Sequence, residues 1–113
     1  MGATSVKLKA EKFDEAAAAI IAKAEGILKA NAFAIEAGAK MRAPVDTGFL
    51  RNSIQTRFPV PGTAIISAAA EYAIYVEMGT RFAAPQPFLI PAYDSQVPKY
   101  LAALKNLGRG LRF

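Results

Sequence analysis

The chain has 113 residues, 53% of them apolar, with 14 Lys and Arg against 9 Asp and Glu for a net charge of +5. This is the size and composition of one globular domain, but 24 of the apolar residues are alanines, so the core is small and gains from burying a further face in an oligomer. With no Cys and no His there is no disulfide, no thiolate nucleophile and no imidazole base, the usual zinc and haem ligands are missing, and no cofactor is expected.

The N-terminal arm, residues 1–12, carries no apolar stretch of the kind a secretion signal needs, and Val6 stands where myristoylation requires Ser or Thr. The longest uncharged run, residues 58–70, is too short to span a membrane and contains Pro59 and Pro61, so a soluble protein is expected. From Asp14 to Arg42 the spacing predicts one long amphipathic helix. Phe13, Ile20, Ile27, Ala34 and Met41 step by seven, with Ala17, Ala24, Leu28 and Ile35 beside them. Gly38 falls on this stripe, where a missing side chain admits a neighbouring backbone, and Phe33 points away from it. Ala43 before Pro44 ends the helix.

A turn then leads into Ser53 to Phe58, whose alternation predicts a half-buried strand, and the Pro59 to Gly62 connection leads to a second strand over Thr63 to Ala69. Glu71 to Met78 reads as a helical turn ended by Gly79, and Thr80 to Pro87 as a loop. Phe88, Leu89 and Ile90 form a short apolar anchor. A last helix is expected from an N-cap at Ser95 to Leu107, with Pro98 in its first turn, followed by a mobile basic tail over 108–113. The core therefore spans residues 13–107 of a single α+β domain: a long N-terminal helix packed on a small antiparallel sheet, with a C-terminal helix. Tyr72, Val76, Phe88 and Leu89 are expected to bury against Ile20, Ala24, Ile27 and Leu28.

Three local blocks stand out. The first runs Ala43-Pro44-Val45-Asp46-Thr47-Gly48-Phe49-Leu50-Arg51-Asn52-Ser53-Ile54: a helix stop, side chains suited to turn hydrogen bonds, a glycine for an unusual φ, and a strand start. Val-Asp-Thr-Gly is also the active-site signature of retroviral-type aspartic proteases. There it lies between strands of a nearly all-β fold, whereas here it follows a long helix and no glycine-rich flap appears. The second block is Glu71-Tyr72-Ala73-Ile74-Tyr75-Val76-Glu77-Met78-Gly79-Thr80, and the third is Pro85-Gln86-Pro87-Phe88-Leu89-Ile90-Pro91-Ala92. Glu71 and Glu77 make a weak catalytic pair, because no metal partner or electrophile stabiliser accompanies them.

In this order and spacing the three blocks resemble the tailed-phage gene-product-ten-like morphogenesis family, the tail-completion or head-tail joining group, over about residues 39–107. The resemblance implies a virion structural protein with no catalytic step, assembled as a ring, hexameric or similar, at the neck or the head-proximal end of the tail. Its implied partners are further copies of itself and neighbouring head-connector and tail-tube proteins, with passive contact with DNA in the lumen. One interface patch is expected on the helix face of Phe33 and Ala37, and the other on the sheet edge or on the Arg81 to Gln86 loop, with Arg81 meeting Glu36 of the neighbouring copy. A DNA-binding module is the alternative, since Lys99, Lys105, Arg109 and Arg112 cluster near the C-terminus.

Overall fold

The computed structural model describes residues 11–44 and 48–110, with the side chains of 11–16 left aside. Helix α1, Glu11–Arg42, is followed by the one-turn helix α2, Phe49–Asn52, and the strands β1, Ile54–Arg57, and β2, Ile65–Ala68. Helices α3, Ala73–Met78, and α4, Leu89–Arg109, complete the order. The fold is α+β, with a long N-terminal helix, a two-stranded antiparallel sheet and a C-terminal helix. The strands pair in register Ile54↔Ala68 through Arg57↔Ile65. Their connection turns at Pro61-Gly62, with Gly62 at φ 83° and Thr63 N–H donating to the Val60 carbonyl at 3.2 Å. Proline then glycine at the two central positions is the pattern of a type II turn.

At 1.5 Å per residue the 32 residues of α1 span about 48 Å. Helix α4 runs back along it: Ala92 lies against Gly38, and Gln96 Nε2 donates to Asn31 Oδ1 at 2.6 Å. A Cβ on Gly38 would sit 3.3 Å from the Ala92 Cβ, so the helices cross closely where the sequence leaves α1 bare. The result is an elongated body of 62 × 28 × 22 Å.

The core lies at one end of this body. Ile35 and Ala39 of α1 and Ala43 just after it meet Leu50, Ile54, Ala70, Ala73, Phe88 and Ala92, with Val76 and Leu89 packed against them. The expected burial against Ile20, Ala24, Ile27 and Leu28 is therefore corrected: the core lies further along α1, and Tyr72 stays 40% exposed. Stepping by seven along a straight helix drifts about 20° per heptad, which carries Met41 out to 82% exposure while Ile35, Ala39 and Ala43 turn inward.

Three further expectations change. Helix α4 begins at Leu89 rather than after Ser95, so Leu89 and Ile90 of the apolar anchor form its first turn. Ser95 is an interior residue whose Oγ donates to the Ala92 carbonyl at 3.1 Å. Pro98 lies inside the helix, not in its first turn, and Gly108 and Arg109 are helical rather than tail. The first strand falls within the expected Ser53 to Phe58, and the one-turn helix α2 lies between it and Gly48. The rest of the arm, residues 1–10, and the end of the chain, residues 111–113, lie outside the described residues.

Candidate functional site

The first block closes α1 onto the sheet. Gly48 takes φ 79°, the left-handed conformation that glycine adopts without a Cβ penalty, and its carbonyl accepts from Asn52 N–H at 2.9 Å to start α2. The single turn that follows buries Leu50 and sends Arg51 back to α1, where its Nε donates to the Lys40 carbonyl at 3.1 Å. That carbonyl is among the last four of α1, which have no partner within the helix. Ser53 Oγ donates to the Leu50 carbonyl at 2.7 Å and closes the turn. Pro44 is described. Val45, Asp46 and Thr47 lie outside the described residues, and with them the turn roles and the protease signature read for that segment.

The second and third blocks are joined by one side chain. Glu77, near the end of α3, accepts through Oε1 from the backbone N–H groups of Phe88 at 3.1 Å and Leu89 at 2.8 Å, and through Oε2 from Ile90 at 3.2 Å. The next residue, Pro91, has no N–H to satisfy. The N-cap Phe88 and the first two residues of α4 are thus capped by a carboxylate eleven or more positions upstream, where the helix dipole favours negative charge. Glu71, by contrast, is exposed, so the two acids do different things.

Between Glu77 and Phe88 the loop is tightly specified. Gly79 sits at φ 77°, ψ 174°, a region essentially reserved for glycine. A Cβ there would lie 2.7 Å from Pro85 N. Thr80 Oγ1 accepts from Phe82 and Ala83 N–H at 3.1 Å each, and Gln86 N–H donates to the Val76 carbonyl at 2.8 Å. Phe88 is 1% exposed, and Ala73 and Ala92 are buried beside it. Pro87 is exposed and leads the chain into Phe88.

The residues expected at an interface are separated. Phe33, half exposed, packs edge to face on Phe58 with ring centroids 5.6 Å apart, and Lys29 lies over the Phe58 ring. Ala37 is exposed on α1. Glu36 is engaged within the chain: Thr56 faces its carboxylate, Lys40 Nζ lies 2.9 Å away, and these two, in that order, hold the carboxyl below its ordinary pKa against the opposing effect of burial. Thr56 Oγ1 is buried without a hydrogen bond of good geometry, so its effect on Glu36 is that of a nearby dipole. Arg81 stacks on Phe82 with its guanidinium carbon 4.8 Å from the ring centroid. Lys105 and Arg109 share one side of α4, and Lys99 is turned about 80–120° from them, so the described basic residues form no single stripe.

The sequence blocks thus act on helix ends and turns, and their polar side chains bind the backbone of the same chain. Such an arrangement defines a small α+β scaffold whose outward surfaces are left for neighbours. Residues 9–79 match the model of the HK97-gp10-like family, described as "Bacteriophage HK97-gp10, putative tail-component", and the chain belongs to that family. The matched stretch takes in α1, the sheet, the first block and the second as far as Gly79, and the third block follows it. No curated protein and no solved structure matches the chain. By family the protein is a bacteriophage tail component, a structural constituent of the virion. No helix among the described residues is long and apolar enough to cross a membrane.

Proposed function

We propose that the chain is a tail-completion or head-tail joining subunit, one of a ring of identical copies at the neck or the head-proximal end of the tail, working without a catalytic step. The observation that carries this reading, beside the family match, is the distribution of apolar surface. A small core at one end of a 62 Å body leaves Ile21, Phe33, Ile74, Tyr75, Met78, Phe82 and Leu101 more than half exposed. Ile74, Tyr75 and Met78 stand together on α3, and a contiguous exposed apolar cluster of this kind marks an interaction surface. A ring requires two different patches that meet so that the rotation closes. The Arg81 to Gln86 loop supplies one. The α1 face of Phe33 and Ala37 is left to meet the head-connector or tail-tube protein stacked above or below.

Deleting the gene in the parent phage and imaging lysates by electron microscopy tests the assignment. Unjoined heads and tails, or tails of abnormal length, are expected. Intact infectious particles in the deletion defeat it.

A further inference from the structure

Helix α4, β2 and α1 enclose an apolar groove. One section, about 370 Å³, is lined by Ile65, Leu89 and Ile90. A second, about 210 Å³, extends it toward Leu28, Val97 and Leu101. The two sections share Ile35, Ala64, Ile66 and Tyr93. Asp94 stands four residues after Ile90 and three before Val97, which puts it on the groove side of α4. It is exposed and has no cationic partner among the described residues.

A matching projection exists on the same chain. Phe82, 85% exposed, is the most exposed of the large apolar side chains described. Arg81 beside it has no carboxylate partner among the described residues. The loop that carries them is held by Gly79, by the Thr80 hydroxyl and by the bond from Gln86 to Val76. Phe82 is therefore presented with little further ordering cost on binding. An aromatic side chain buries about 150–250 Å² when enclosed, and the larger section of the groove has room for a phenyl ring.

We propose that Phe82 of one copy seats in the α1–β2–α4 groove of the next, with Arg81 pairing to Asp94 of the receiving copy. Opposite charges flank a projection and a groove that are both apolar, and Phe82 leaves its own groove unfilled, so the occupant is a second copy of this chain. Knob and groove are different surfaces, so the contact repeats head to tail, as closure into a ring demands. Arg81 is matched here to Asp94 rather than to Glu36, which its own Lys40 and Thr56 already engage. This inference rests on the ring reading above.

The test complements the gene deletion with plasmid-borne variants and counts infectious particles. Arg81→Asp and Asp94→Arg are each expected to lower the titre by about tenfold or more, since like charges now face each other. The double variant R81D/D94R is expected to recover most of it. Circular dichroism of the purified variants checks that each folds. Full complementation by either single variant, or no recovery in the double, overturns this contact while leaving the ring reading intact, whereas a deletion without phenotype overturns the ring reading itself. As a second measurement, the chain has no native cysteine, so purified Phe82→Cys protein can be oxidised with an Ile90→Cys partner or a Lys99→Cys control. Lys99 lies about half a turn round α4 from Ile90. Preferential cross-linking to position 90 supports the contact, and equal cross-linking to both positions overturns it.

Discussion

At the scale of single residues, the glycines and one carboxylate hold the chain's corners. Gly48 and Gly79 share a positive φ, but only at Gly79 would a Cβ also clash, 2.7 Å from Pro85 N. Gly48→Ala is therefore expected to cost about 1 kcal/mol, the left-handed penalty alone. Gly79→Ala should cost about 2–3 kcal/mol, because the loop must also move. Urea midpoints of the two variants compared side by side check the difference. Glu77→Ala removes three acceptor contacts from the start of α4 and is expected to destabilise by about 1–3 kcal/mol. Glu77→Gln should fall between, since an amide oxygen still accepts but without the charge. Glu36 adds a pH dependence. Its folded pKa is depressed, so its contribution to stability is present above the unfolded carboxylate pKa and is lost as pH falls through the folded value. The acid limb of a denaturation-against-pH series should flatten in Glu36→Gln, while neutral pH shows a small loss.

Among the secondary-structure elements, the two long helices depend on unlike neighbours. Phe88 lies in the core at the crossing of α1 and α4, and Phe88→Ala is expected to cost about 3–5 kcal/mol. Ile20→Ala, on the half-buried outer length of α1, should cost about 1 kcal/mol or less, and denaturant titration separates the two. Helix α1 was legible in the sequence because its apolar residues recur over many turns and a proline follows it. The location of its buried face was not, because that face is mostly alanine: Ala32 and Ala39 carry little hydrophobic signal beside the exposed Met41. The start of α4 was hidden for another reason. Pro91 makes Leu89 to Asp94 look unlike a helix, and the cap that permits it comes from Glu77 in a different element. The three blocks were visible as strings, but their shared work of tethering helix ends becomes evident only once the chain is folded. Neither the Phe82 projection nor the groove beside Asp94 has a local sequence pattern, since each depends on which surfaces remain uncovered.

Across the whole molecule, stability is graded along the long axis. The end holding Phe88, Ile54 and Leu50 is packed from several sides, whereas the other end is α1 and α4 alone. Amide hydrogen exchange is expected to be slowest at Ala39 to Ala43 and in β1, and faster by orders of magnitude toward Ile20 and Leu107, through local opening that leaves the core intact. Uniform protection along α1 in the isolated protein would contradict this gradient.

The bond between Gln96 and Asn31 acts as a detent between the two long helices, at the level where Phe58 of the hairpin also packs on α1. An alanine-rich seam offers nearly the same packing if one helix slides a turn, about 5.4 Å, past the other. The amide pair has a partner at one setting only, and Asn31 Nδ2 is simultaneously tied to the Ile27 carbonyl at 2.8 Å. Sliding therefore breaks a defined bond, and the reach of each subunit from its packed end to its tip is indexed to a single length.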